Sequence, residues 1–182
     1  MRKFILIPVV NLGIKPKGIF LEIISESANF GGVNFQGLKN SGLAKEVAMT
    51  EAILNRLSHP KISASHLYLS HHLPNLNSHS ISLGLTLAVF LQQRNCQYHK
   101  IIAIGEIDIH SSDLSISGGH YFETQIAAIL SLGKQPYLVA LFIPAHLLNE
   151  TADALVHRLA KLNFEVKAVI TLDEALISLG VS

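Results

Sequence analysis

Apolar residues recur along this chain with two spacings, and the switches between them mark the elements. Residues 4–10 and 19–24 are β-branched apolar runs separated by Gly13, Pro16 and Gly18, the pattern of two strands joined as a hairpin. A turn signal at Asn29-Phe30-Gly31-Gly32 precedes a short strand expected over 33–36. Asn40 or Ser41 is placed to cap a helix running to about His59. Leu43, Val47, Ala48, Ala52, Ile53 and Leu57 share one face of it, and Pro60 closes it.

Residues 62–71 suit a fourth strand, with Leu67 and Leu69 facing one way, and 71–80 read as loop. The stretch from Ser78 to Glu106 organises the rest. Its polar start, Ser78-His79-Ser80, leads into a helix expected over about 80–93 that is apolar nearly all round, as at Leu83, Leu85, Leu87, Val89 and Phe90. Such a helix is buried on more than one side. Residues 100–109 read as a fully buried strand, 108–112 as its turn, and Leu114 and Ile116 as a short strand ended by Gly118-Gly119. A helix over 121–132 stops at Gly133, and 137–143 is another buried strand. Pro144 opens a helix to Leu162 that ends at Asn163. A strand over 165–170 and a helix over 172–179 follow, the latter capped by Thr171 with Glu174 in capping-box position. The alternation after residue 60 predicts a layered α/β fold with a mixed sheet, as one domain over 1–182.

Composition narrows the function classes. Apolar residues make up 49% of the chain and charged residues only 15%, so some apolar surface is expected to meet a partner. No apolar run reaches the roughly 18–20 residues of a membrane span, and no signal peptide is legible at the start, so a cytoplasmic location is expected. The single cysteine, Cys96, excludes a disulfide framework and a cysteine-based zinc site. A net charge of +1 without basic runs leaves no electrostatic footprint for nucleic acid. Neither a Walker sequence nor a dinucleotide glycine fingerprint occurs, and no cofactor is implied.

Several landmarks then fall in a familiar order. Ser82-Leu83-Gly84 with its apolar helix, Ile104-Gly105-Glu106-Ile107, Gly118-Gly119 before a helix carrying Ala127-Ala128, and the strand from Leu141 to Pro144 resemble the proteolytic domain of Lon protease. Asn11-Leu12-Gly13-Ile14, Phe35-Gln36-Gly37-Leu38 and Lys45-Glu46, continued by 69–74 and 81–85, are closer to the Lon-like N-terminal domain of the ComM family of magnesium-chelatase-like ATPases. The resemblance implies a Lon-like fold, with Ser82 as nucleophile if the domain is a peptidase. In the ComM family an ATPase module follows this domain. The chain stops before one, so an ATP-driven step would call for a partner chain.

A Lon-type serine needs a lysine base, because a hydroxyl is a weak nucleophile until its proton is taken. The lysine should follow Gly118-Gly119, yet the residues there are His120-Tyr121-Phe122-Glu123-Thr124-Gln125, and no lysine lies between Lys100 and Lys134. The Gly-Pro that precedes the Lon nucleophile is replaced by Ser80-Ile81. These departures favour a domain without catalysis. It would be an oligomeric assembly or binding module, a homo-oligomer or the partner of a separate protein such as an ATPase, linked to DNA processing by resemblance alone.

The alternative is a serine peptidase with Ser82, a substitute base in His120 or Tyr121, and Glu106 nearby. Against it, Ser82 reads as an early helix residue making a local hydrogen bond, and Glu106 as a buried carboxylate holding backbone N–H groups. His71, His72, His79, His110 and His120 fall in loops or element ends without metal-site spacing, and Gly31-Gly32 reads as a turn. A third reading takes the N-terminus of the central helix as an anion site for a small ligand or peptide.

Overall fold

The structure is a computed structural model that describes residues 1–11, 17–29, 31–57, 62–71, 81–148 and 152–181. Its centre is a seven-stranded mixed sheet whose strands, from one edge to the other, are Val33–Asn34, Ser65–Leu69, Lys17–Ser27, Arg2–Asn11, Lys100–Ala103, Val139–Pro144 and Phe164–Val169. The opening apolar runs form an antiparallel pair, β1 (Arg2–Asn11) and β2 (Lys17–Ser27), with Phe4 opposite Ile24 and Pro8 opposite Phe20. Antiparallel to β2 lies β4 (Ser65–Leu69), and β3 (Val33–Asn34) runs parallel to β4 at one edge. On the other side of β1, the strands β5 (Lys100–Ala103), β8 (Val139–Pro144) and β9 (Phe164–Val169) are all parallel to it. Among the described strands of this sheet, β2 is therefore the one that runs against the rest.

Side chains alternate across β1 and feed two cores. Ile5, Ile7 and Val9 pack with Leu83, Leu87, Val89 and Phe90 of helix α3 (Ser82–Phe90), while Leu6 packs with Ile126 and Ile129 of α4 (Phe122–Ser131). Helix α2 (Ala44–Arg56) and α6 (Leu172–Leu179) join α3 on the first face, and α5 (Ala152–Lys161) joins α4 on the second. The expected central helix is the most enclosed element. Every residue of α3 is buried, as its uniform apolarity requires.

Several boundaries differ from the sequence pattern. The short strand expected over 33–36 ends at Asn34, and helical structure begins at α1 (Gln36–Leu38) and continues over Lys39–Leu43 with a break at Gly42, whose φ is +90°. Ser41 caps nothing; its hydroxyl donates back to the Gly37 carbonyl. On α2 the buried residues are Val47, Thr50 and Ile53, and Ala48 is exposed. Helix α2 stops at Arg56, and the expected closure at His59 and Pro60 lies outside the described residues.

The strand expected over 100–109 breaks in two. After β5 the chain turns at Gly105, and Glu106–Ile107 forms a separate strand, β6, paired antiparallel with β7 (Ile116–Ser117). Tyr137 and Leu138, expected within a buried strand, are exposed ahead of β8, and Pro144 ends β8 instead of opening a helix. A short 3₁₀ turn, Ala145–Leu147, follows it. The last helix keeps its expected cap, with the Glu174 N–H donating to Thr171 Oγ1 at 3.3 Å while the Glu174 carboxylate accepts the Ile170 N–H at 2.7 Å. Among the described residues no helix is long and apolar enough to cross a membrane.

Candidate functional site

The sequence landmarks meet at one end of the parallel strands. Gly105 leaves the carboxyl end of β5 with φ +129°, and a Cβ there would stand 3.0 Å from the Ser117 carbonyl and 3.1 Å from the Pro144 ring. Gly118, at φ +153°, faces the Gly105 Cα so closely that a Cβ would stand 3.3 Å from it. The glycines of two separate motifs thus touch each other beside the proline of a third. Only residues without a Cβ let β5, β7 and the end of β8 approach this closely. In open α/β sheets ligands gather outside the carboxyl ends of parallel strands, which is where this junction lies.

Ser82 opens α3 against the same junction. Its Oγ accepts the backbone N–H of Ile107 at 2.8 Å, and the residue is 6% exposed. The bond is not the local one expected of an early helix residue, for it spans 25 positions and ties the start of α3 to β6. It also takes the role expected of Glu106. The Glu106 side chain is exposed and makes no hydrogen bond or ion pair among the described residues, because the turn at Gly105 carries it out of the buried strand.

His120 and Tyr121 precede α4 and are exposed, and neither hydrogen-bonds to Ser82. Among the described residues no histidine, lysine or carboxylate side chain does so. The histidine that does reach the junction is His146, whose Nε2 lies 3.0 Å from the Gly118 carbonyl oxygen. It was not singled out from the sequence, where its one signal is its place two residues beyond the strand-ending Pro144. Thr86, one turn after Ser82 on the same face of α3, is likewise buried, and its hydroxyl has no partner among the described residues.

His71 and His110 are exposed, while His72, His79 and the loop residues Ser78 and Ser80 lie outside the described residues. Among the described residues no group of three or more His, Cys, Asp or Glu is placed to hold a metal ion.

The chemistry available is that of a buried hydroxyl serving as an acceptor. Ser82→Ala is expected to cost about 1–3 kcal/mol, because it leaves the Ile107 N–H buried without a partner. Urea denaturation of the variant checks this, and an unchanged midpoint would show that the bond contributes nothing. Compared with known families and with curated proteins, the chain finds no match.

Proposed function

We infer that this chain is a Lon-like α/β domain that has lost peptidase chemistry and works as an assembly or binding module. The observation that carries the reading is the state of Ser82, whose oxygen accepts the Ile107 N–H while no base among the described residues hydrogen-bonds to its hydroxyl. Support for the Lon-like part comes from the meeting of Gly105, Gly118 and Pro144, which gives the ordered motifs a common physical reason.

Labelling with a serine-reactive fluorophosphonate tests the loss of catalysis. The expected result is no labelling of the wild type from about pH 6 to 9, across which a histidine base would change state. Labelling that vanishes in Ser82→Ala would overturn the reading in favour of an ATP-independent serine peptidase with a substitute base.

The assembly role rests on the free edge of the sheet. Among the described strands β9 has one neighbour, and beside it Ile170 is 58% exposed and Ile177, on the helix packed against β9, is 70% exposed. Exposed apolar side chains next to a strand edge without a neighbour favour association with another chain, here a second copy. Sedimentation at micromolar concentration is expected to give a dimer or higher species that Ile170→Lys weakens. A strict monomer would remove the assembly part. A link to DNA processing has only the resemblance behind it, since a net charge of +1 offers phosphates little.

A further inference from the structure

At the opposite end of the parallel strands, roughly 17 Å along β8 from the Ser82 junction, the amino ends of β5, β8 and β9 surround a pocket of about 600 Å³. That volume lies within the roughly 300–1,000 Å³ of small-molecule sites. Residues 133–138, which precede β8, supply one side of the pocket through Gln135, Pro136, Tyr137 and Leu138.

The loop is held in place. The Asn163 side-chain amide donates to the Gln135 carbonyl at 2.6 Å, and the buried Gln135 side chain donates to the Leu132 and Gly133 carbonyls at 3.3 and 3.2 Å. Its outer part presents Pro136, Tyr137 and Leu138 as one apolar wall, with Tyr137 76% exposed and Leu138 56% exposed. Two adjacent large apolar side chains left in water on the rim of a cavity mark a surface that has something to cover.

Charge decides what kind of molecule fits. Glu165 is already engaged, accepting from Lys167 Nζ at 2.6 Å and from the Tyr98 hydroxyl at 2.7 Å. The Lys167 hydrogen bond, more than any other influence, holds its carboxyl below the usual carboxylate range, and burial chiefly pushes the Tyr98 phenol up. The Glu165–Lys167 pair is therefore neutral as a unit. Lys100 is different. Its ammonium has only the Gln135 amide oxygen, at 3.5 Å, and no ion pair among the described residues. One uncompensated cation beside an apolar wall selects for a ligand with an anionic end and an apolar body.

We propose that this pocket binds a small aromatic carboxylate, with the carboxylate on Lys100 and the ring against Tyr137 and Leu138. The site is independent of Ser82 and stands whether or not the domain is catalytic.

The test is a titration of the full chain with 3-phenylpropionate, followed by backbone amide shifts in NMR, with 3-phenylpropionamide and 2-phenylethylamine as matched neutral and cationic probes. The expected result is saturable shifts of residues 97–100 and 137–139, with none at 82–84, and a Kd on the order of 1 mM. The amide is expected to bind about tenfold more weakly, the loss of one charge-assisted bond. Lys100→Met should weaken the carboxylate by a similar factor. Tyr137→Ala should also weaken it, and this second variant cannot fail by unfolding the core because the side chain stands in solvent. No saturable shifts at these residues, equal binding of carboxylate and amide, or indifference to both substitutions would overturn the proposal.

Discussion

Phe90→Ala is expected to destabilise the domain by about 3–5 kcal/mol, the range for emptying a fully enclosed aromatic site. Phe90 is completely buried near the end of α3, within the larger of the two cores, and is among the largest side chains to be wholly enclosed. The helix around it has no exposed residue, so little can collapse into the space left behind. Urea denaturation would show the loss as a lowered midpoint with an unchanged slope, since the surface exposed on unfolding stays nearly the same. A loss under about 1 kcal/mol would mean that α3 is not packed as described.

Gly105→Ala is expected to cost about 2–6 kcal/mol, combining backbone strain with overpacking. Its φ of +129° suits only glycine, and the new Cβ would press on the Ser117 carbonyl, the Ile116 side chain and the Pro144 ring at once. Gly31→Ala separates the two contributions. Gly31 also has a positive φ, +90°, but among the described residues nothing outside its chain neighbours lies within 4 Å of the position of its Cβ. Its substitution should cost about 1 kcal/mol, strain alone. If both variants lose the same amount, the crowding between the Gly105, Gly118 and Pro144 motifs is not what holds the junction together.

The sequence legibility of this chain follows the strength of its periodic signals. A hairpin of two β-branched runs, a helix apolar on all sides and a Thr171–Glu174 capping box each need only local physics, and each is present. The mixed sheet was legible for a similar reason. Helices alternating with buried runs demand parallel strands covered on both faces, while the opening hairpin demands one antiparallel neighbour.

The errors lie where a residue's surroundings come from distant parts of the chain. Apolar content at 100–109 resembles one buried strand, yet the close approach of Ser117, Gly118 and Pro144 forces a turn at Gly105 and puts Glu106 in solvent. Tyr137 and Leu138 are as apolar as the strand they precede, but Asn163 and Gln135 hold their loop outside it. Hydrophobicity reports the capacity to be buried; only the packing of other elements determines whether burial occurs.

The candidate site divides in the same way. By itself the sequence determined that Ser82 lies in the first turn of the central helix, that Gly118-Gly119 ends a short strand, and that no lysine follows Gly118-Gly119, because these are matters of residue type and order. Only the tertiary structure decided that the Ser82 hydroxyl meets the Ile107 N–H, that His146 and not His120 reaches the Gly118 carbonyl, and that Lys100 lines a pocket with no ion pair of its own among the described residues. Those pairings span 25, 28 and 35 positions, and hydrogen bonds and charge act across a few ångströms of space with no regard for distance along the chain.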